Sequence, residues 1–513
     1  MSLESNCDKM ATTMQSKEER KLHKTSPIFI LLDNIKKIIF PVLIALVGPG
    51  GSYWEYIALA IALLVSLASV VQYRFYRYWL EPNQIRVKEG ILFRNERQVP
   101  YKRIQNLNLT QNPLHRILGV VTVQLESASG GKPEAVINVV DMDAVRELKR
   151  LVHGGEEETS HNDETQEESP QAKPSLLRLP FSEIIRYGVI TNKGLVILAV
   201  AFGFMSQLSD GALKDYIENK IVAFANWITA SFDSVIGDLG ALTIVVYVLV
   251  LAILGLVALW LLSITFALFK LYDFELIKSK GKLQATMGLL TRMQATIPMS
   301  RIQTLTIRNS LLHRWFKRLT ISVETAGGVN HENQGLAIKE IAPLINKQRR
   351  GEMLREIQPD VSWSAVEWLG IESRAVRRIT KKLLLVSAIV SAPLAFLHWG
   401  WTIPAFITLS ILGFLYARAY VKNTAYCLDQ DMIGFKSGVI FKKETYVRLS
   451  KIQTVQVKES LFDRRYGMAK LEVDTAGAIV GAHHVDIPYI MLQDAMRIQN
   501  KLVERVSSKQ FVW

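Results

Sequence analysis

Runs of uncharged apolar residues punctuate a chain that is otherwise polar and β-patterned. Residues 56–72 and 242–269 are long and unbroken, and residues 383–397 and 402–417 form a pair split by the short turn HWGW. A helix needs about 20 residues to cross the hydrocarbon core of a bilayer, so the shorter runs must extend into their flanks. Residues 38–47 and 194–206 become spans when they start near Ile35 and Tyr187, with Lys36, Lys37 and Lys193 snorkelling to the interface. The pattern predicts a polytopic α-helical membrane protein with six spans in three hairpins. The cores of these spans carry no Asp, Glu, Lys or Arg, which argues against a pump or secondary transporter.

The polar segments repeat. PYKRIQNLNLTQNPLHRILGVVTVQLESASGG from Pro100, PMSRIQTLTIRNSLLHRWFKRLTISVETAGGV from Pro298 and RLSKIQTVQVKESLFDRRYGMAKLEVDTAGAI from Arg448 align without gaps, at offsets of 198 (298 − 100) and 150 (448 − 298) residues. The register extends upstream to Gly90, Gly288 and Gly438. Each copy follows a hairpin, so the unit is a hairpin plus a soluble domain, three times over: a duplicated domain, not a solenoid. Val121, Val123 and Leu125 alternate with Thr122, Gln124 and Glu126, as a half-buried antiparallel strand does. Residues 78–80, 85–90 and 91–99 read as a meander. NPLHRILG reads as one helical turn opened by Asn112-Pro113 and closed by Gly119. Residues 141–152 have the acidic start and basic end that suit a helix dipole, and residues 341–357 and 487–503 are the matching helical patterns. About seven short strands followed by a helix predict an α+β unit, an antiparallel β-barrel or sandwich with a C-terminal helix.

The IQ…LL-R…ETAGG-type stretch after a membrane hairpin, in three internal copies, resembles the bacterial pleckstrin-homology-like (PH-like) membrane family, in particular its YdbT-type members with three PH-like repeats. The resemblance runs from about Pro27 to near the C-terminus. It implies a PH-like fold for each soluble unit, and it says much less about activity. The copies depart from one another at Lys317, where the others have Gly119 and Gly467, and at Asp463, where the others have His115 and His313. Ala478 also replaces the second glycine of its turn. The expected organisation is a polar cytoplasmic N-terminus (1–26), membrane hairpin 1 (27–72), PH-like domain 1 (73–153), an acidic disordered linker (154–175), membrane hairpin 2 with an outer loop (176–269) and PH-like domain 2 (270–358). An amphipathic segment with membrane hairpin 3 (359–420), PH-like domain 3 (421–506) and a tail (507–513) complete it.

Charge sets the expected orientation. Lys36, Lys37, Arg74 and Arg77 flank the open side of hairpin 1; Arg374, Arg377, Arg378, Lys381 and Lys382 precede span 5, and Arg418 and Lys422 follow span 6. The turns of hairpins 1 and 3 carry no Lys or Arg, and the loop of hairpin 2 is acidic. The positive-inside rule places both termini and all three PH-like domains in the cytoplasm of a bacterial cell, with a multi-pass location in the cell membrane. The linker at residues 154–172 has seven acidic residues and no Lys or Arg, too polar to repay its ordering entropy. The whole chain has 61 Lys and Arg against 47 Asp and Glu, an excess suited to an anionic leaflet. Cys7 and Cys427 are the only cysteines, which excludes a disulfide framework and a cysteine zinc site.

Catalytic signatures are missing: there is no Walker loop, GxSxG or HExxH. His483-His484 are neighbours whose side chains diverge on a strand, so they do not suggest a metal pair. No cofactor, metal or nucleic acid is expected, and no enzyme. The recurring positions Ile104-Gln105, Ile302-Gln303 and Ile452-Gln453 read as structural: Ile as core, Gln on the other face or in a buried side chain–backbone bond. His115 and His313 suggest packing of the helical turn, with a proton switch as the alternative, and Cys427 a small buried apolar residue. Arg86, Lys88, Arg94 and Arg97 lie on the first strands, as do Lys278, Lys280, Lys282 and Arg292 in the second copy and Lys436, Lys442, Lys443 and Arg448 in the third. Their order is not kept between copies, so general attraction to anionic lipid fits better than a phosphate pocket. With Arg374, Arg377, Arg378, Lys381 and Lys382, the first four are the candidate lipid contacts.

The expected function is a non-enzymatic membrane scaffold whose partners are the lipid membrane and other membrane or cytoplasmic proteins, or further copies of itself. A role in envelope integrity or tolerance of membrane-active peptides rests on the resemblance. The alternatives are a lipid- or peptide-binding membrane protein and a transport accessory component.

Overall fold

A computed structural model of the chain describes residues 75–90, 94–127, 135–153, 175–191, 241–279, 281–325, 339–361, 366–393, 399–475 and 485–508, with the strand Arg20–Lys21 and isolated positions elsewhere. In the first unit, β1 (Arg20–Lys21), β2 (Arg77–Leu80), β3 (Gln84–Glu89) and β4 (Asn95–Pro100) form one antiparallel sheet. After it come β5 (Ile104–Gln111), helix α1 (Pro113–Ile117), β6 (Val120–Ser127), β7 (Ala135–Asp141) and α2 (Met142–His153). The second unit comprises β8 (Ser175–Arg178), α3 (Phe181–Thr191), α4 (Ala241–Leu271), β9 (Glu275–Ser279), β10 (Lys282–Met287), β11 (Arg292–Pro298), β12 (Ile302–Asn309), α5 (Leu311–Trp315), β13 (Arg318–Thr325), β14 (Glu340–Asn346) and α6 (Arg350–Ile357). The third comprises β15 (Leu369–Gly370), α7 (Ala375–Ser391), α8 (Trp399–Asn423), β16 (Ala425–Leu428), β17 (Met432–Ser437), β18 (Lys442–Arg448), β19 (Ile452–Lys458), α9 (Leu461–Arg464), β20 (Met468–Thr475), β21 (Val485–Met491) and α10 (Leu492–Ser508).

Each unit is therefore a four-stranded sheet and a three-stranded sheet with a C-terminal helix. One strand of the larger sheet comes from before the membrane hairpin: β8 pairs with β9, and β15 with β16. The expected boundary of the acidic linker, at residue 175, falls on β8, so Ser175–Arg178 belongs to the sheet of domain 2. The larger feature is that the sheets do not stop at the units. β5 of the first unit pairs with β11 of the second, and β12 of the second with β18 of the third, giving two seven-stranded antiparallel sheets. A four-stranded sheet, β1–β4, and a three-stranded one, β19–β21, remain at the two ends. The cores follow the same plan. The second unit's core takes in Cys427, Met432 and Tyr446 of the third, and Trp363 packs edge-on against Tyr446.

Two helices among the described residues are long and apolar enough to cross a membrane, residues 249–271 and 400–423. Only 6% of the apolar window of each is buried by protein, which a soluble core helix would not tolerate. The six expected spans are thus not all seen: spans 1 and 2, most of span 3 and residues 394–398 around the end of span 5 lie outside the described residues, and the helix Ala375–Ser391, which carries the rest of span 5, is not one of these two. The expected start of span 3, near Tyr187, falls on α3. Tyr187 is buried against the second domain, its hydroxyl donating to Glu340 Oε2 at 2.6 Å. On the same helix, Arg318 forks onto Glu183, Nε to Oε2 at 3.0 Å and Nη2 to Oε1 at 2.8 Å. Burial pushes the Glu183 carboxyl up, but hydrogen bonding and charge from Arg318, with Arg186, outweigh this and hold it below the ordinary range. α3 packs closely on α4, where Ser263 Oγ donates to the Gly188 carbonyl at 2.6 Å. A small residue is what lets these backbones approach.

The helical patterns at residues 341–357 and 487–503 begin too early. Ile341 lies in β14 and Ile487 in β21; the helices are Arg350–Ile357 and Leu492–Ser508. Irregular pairing of β13 with β14 and of β20 with β21 breaks the two-residue alternation, which then imitates a helix.

Candidate functional site

The recurring Ile and Gln have distinct structural jobs. Ile104, Ile302 and Ile452 are buried core residues. The ladder slips between Ile104 and Asn106, between Ile302 and Thr304 and between Ile452 and Thr454, so in every copy the Gln is the extra residue of a β-bulge. Gln303 is buried, with Nε2 donating to the Arg301 carbonyl at 3.3 Å, whereas Gln453 is exposed. The side chain of Gln105 lies outside the described residues. Gly90, Gly288 and Gly438 open the turns before β4, β11 and β18 with φ of 103°, 114° and 103°. A Cβ on Gly288 or Gly438 would sit 2.0 Å from a carbonyl oxygen across the turn.

The one-turn helices explain the His/Asp departure. Asn112 N donates to His115 Nδ1 at 3.1 Å, Ser310 N to His313 Nδ1 at 3.3 Å, and Ser460 N to Asp463 Oδ2 at 3.3 Å. All three are capping boxes closed by an acceptor at the third helical position. With Nδ1 accepting, His313 Nε2 carries the proton toward Thr320 Oγ1 at 3.0 Å, and Thr320 donates to the Pro343 carbonyl at 2.7 Å. Burial pushes the imidazole down to about 4, against a smaller upward pull from Glu340. Asp463 has a further role, accepting from Arg378 Nε at 2.6 Å. Lys317 keeps the left-handed conformation of its glycine counterparts, φ 53° against 67° and 62°.

The predicted lipid-facing cations divide. Arg86 is paired with Glu81 at 3.2 Å and Glu96 at 3.5 Å, and Arg97 with Glu89 at 3.6 Å. Lys88 lies in β3, and Arg94 is exposed just before β4. Arg378 and Lys381 turn toward the protein: the Arg378 guanidinium lies 5.1 Å over Phe462 and Lys381 Nζ donates to the Tyr466 hydroxyl at 2.9 Å. Arg374 reaches Glu372 at 3.8 Å, while Arg377 and Lys382 are exposed. In the later copies Lys278 pairs with Glu356, Lys436 covers the Trp368 ring at 4.2 Å and Arg448 pairs with Asp360. Burial lowers Lys451, which has Arg448 and Arg301 beside it. Much of the basic excess on these strands is therefore used inside the fold. Cys427 is buried and its thiol is pushed up to about 11 by burial, an inert packing residue. His483-His484 lie outside the described residues, and among those described no His, Cys, Asp and Glu group could hold a metal.

A different surface recurs in kind, though not residue for residue. The one-turn helices expose Ile117, Trp315, and Leu461 with Phe462, at 79%, 76%, 78% and 61% of their full areas. The turns before β11 and β18 expose Leu290 and Phe441. These tips stand at the feet of the membrane helices. Gly288 N and Leu289 N donate to the carbonyls of Tyr272 and Phe269 at the end of α4, and Lys442 Nζ donates to Asn423 Oδ1 at the end of α8. Their sequence signal was available: apolar residues set among polar ones in the one-turn helix of each copy, at Ile117 and Trp315 in the first two and at Leu461 and Phe462 in the third.

A family model described as "Bacterial PH domain" matches residues 31–155, 234–358 and 376–506, three times in one chain. The chain belongs to the bacterial PH domain family. The second and third matched segments take in the apolar helices α4 and α8 as well as the PH-like sheets. A relative in Bacillus subtilis (strain 168), the UPF0699 transmembrane protein YdbT, is 26% identical over 469 residues, covering 87% of this chain and 91% of its own. No solved structure matches the chain. The protein is a membrane protein with repeated bacterial PH domains.

Proposed function

We propose that this protein is a non-enzymatic scaffold that holds three PH-like domains as one connected body on the cytoplasmic leaflet, where they bind membrane or cytoplasmic proteins. The observation that supports this most is the recurrence of exposed apolar tips at the feet of the helices. It gives each domain a side to rest on the lipid and leaves the opposite side for partners. Burying apolar side chains in the interface supplies attraction that salt does not screen, unlike paired surface cations. The deciding experiment is affinity purification of the full chain from native membranes in mild detergent, followed by identification of both proteins and lipids. Stoichiometric protein partners support the scaffold. A single lipid class retained in stoichiometric amount, without protein, points instead to the lipid-binding reading.

A further inference from the structure

The two junctions inside the chain are the same junction used twice. Arg292 faces Gln111, Met293 faces Thr110 and Gln294 faces Leu109; Lys442 faces Asn309, Lys443 faces Arg308 and Glu444 faces Ile307. The repeat offsets, 198 (309 − 111) and 150 (442 − 292), carry the first register onto the second without a slip. The supporting contact repeats too. Arg116 of α1 donates to the Leu289 carbonyl at 3.4 Å, and its equivalent Arg314 of α5 donates to the carbonyls of Val439 and Ile440 at 3.1 and 3.3 Å.

Three units make two such junctions and leave one half of a third at each end. Among the described residues β4, the counterpart of β11 and β18, is the last strand of its sheet, and β19, the counterpart of β5 and β12, is the last of its own. Their exposure shows the missing neighbour. Gln303, Thr304 and Thr306 of β12 are buried, whereas Gln453, Thr454 and Gln456 of β19 are exposed; residues 95–98 of β4 are exposed throughout. Arg464, the third copy of the junction arginine, is largely exposed and pairs with Glu459 of its own domain at 3.5 Å. An open strand edge is a template for another strand, and here the two open edges are of complementary kinds.

We propose that β19 of one chain pairs antiparallel with β4 of a second copy, so that the sheets continue from chain to chain. Carrying the internal register forward places Arg94 opposite Glu459, Asn95 opposite Lys458, Glu96 opposite Val457, Arg97 opposite Gln456, Gln98 opposite Val455 and Val99 opposite Thr454. Arg94 and Glu459 then form an opposite-charge pair at one end of the ladder. Gln499 Nε2 of α10 donates to the Val455 carbonyl at 3.1 Å, and docking exchanges that bond for a main-chain one. The two surfaces differ, so the contact is head to tail, and copies joined this way form a ring where the rotation between them closes and an open row where it does not. This deepens the scaffold reading by naming a partner, and it fails separately from it, because heterologous partners are read by purification and self-pairing by cross-linking.

The test joins two differently tagged full-length chains in membranes, with Cys7→Ser in both and Cys427 left buried. One chain carries Gln98→Cys and the other Val455→Cys; a second pairing uses Arg97→Cys with Gln456→Cys. Opposed residues alternate between hydrogen-bonded and non-bonded sites, so one of the two pairings offers the close geometry a disulfide needs. Mild oxidation should give a covalent species bearing both tags, at least about tenfold more abundant than from the offset pairing of Gln98→Cys with Gln456→Cys. Absence of the two-tag species in both matched pairings overturns the proposal. So does equal linkage in the offset pairing, linkage only within one chain when both cysteines share it, or capture of the Val455→Cys edge by a different protein.

Discussion

Replacing Gly188 by alanine tests how the second domain is fastened to its helices. A Cβ at this position would lie 2.6 Å from Ile264 Cα and 3.0 Å from its Cγ1, where ordinary contacts are 3.4–4 Å. The nearest obstacle is backbone, so α3 must move away from α4 by about 1 Å, a displacement of the overpacking kind that costs about 1–3 kcal/mol. The same shift opens the Ser263 Oγ to Gly188 carbonyl bond, worth about 1 kcal/mol. It also pulls on Glu183 and Tyr187, which dock the helix to Arg318 and Glu340. The total is about 2–4 kcal/mol, or roughly 5–10 °C in melting temperature for a body of this size. Cys427 supplies the readout: buried in the shared core, it reacts with a thiol dye only on unfolding, in a Cys7→Ser background. Gly255→Ala is the control, because nothing lies within 4 Å of the Cβ it would add; its melting temperature should hold or rise. If Gly188→Ala melts with the parent, the close packing of α3 on α4 is not what joins helix and domain.

Acidification should loosen the second domain through His313. Its folded value lies near 4 and its ordinary value near 6.5, so the unfolded chain binds the proton first. The stabilisation is whole above about pH 6.5 and is lost as pH falls toward 4, amounting to up to about 3 kcal/mol; His313→Asn should flatten the pH dependence of hydrogen exchange in β13 and β14, and an unchanged slope would refute the assignment. Lys317→Gly relieves a left-handed backbone that costs a non-glycine residue about 1 kcal/mol, and should raise the melting temperature without altering the cap. Brominated lipid should quench Trp315 fluorescence in reconstituted protein, so the quenched component should shrink in Trp315→Phe, the tryptophans of the membrane helices supplying the remainder; equal quenching in both would move this tip away from the membrane.

The repeat made the fold legible, because three aligned copies show which positions are retained within one chain. The meander, the helical turn opened at Asn112 and the buried Ile104, Ile302 and Ile452 all follow from alternation and turn chemistry. The Gln beside each Ile gave no sign of its bulge, since a bulge is a property of two strands and only one was read. β8 and β15 were hidden for a similar reason: Ser175–Arg178 and Leu369–Gly370 are too short to show a period and gain their partners only after a hairpin intervenes. The His-to-Asp change at Asp463 looked like a departure by residue type, yet both side chains present an acceptor to the same backbone N–H. The environment of the basic residues was not legible either. A count along the chain does not show which cations have partners within the fold, as Arg86, Arg378 and Lys436 do in Glu81, Asp463 and Trp368. The junctions between units were not legible at all, because pairing of β5 with β11 and β12 with β18 joins residues more than a hundred positions apart.

That pairing is the centre of the account, and one cross-link tests it directly. Thr306 of β12 and Thr445 of β18 stand opposite each other across the second junction, their hydroxyl oxygens 3.5 Å apart and both side chains buried. Directly opposed strand residues have Cα atoms about 4.5–5.5 Å apart, within the reach of a disulfide. The full-length chain carrying Thr306→Cys and Thr445→Cys, in a Cys7→Ser background, should oxidise in the membrane to one intrachain bond, found by mass spectrometry as a single linked peptide pair. Domains that merely hang from their hairpins would leave both thiols free or link them between chains at random, and that result would contradict a sheet continuous from one PH-like domain to the next.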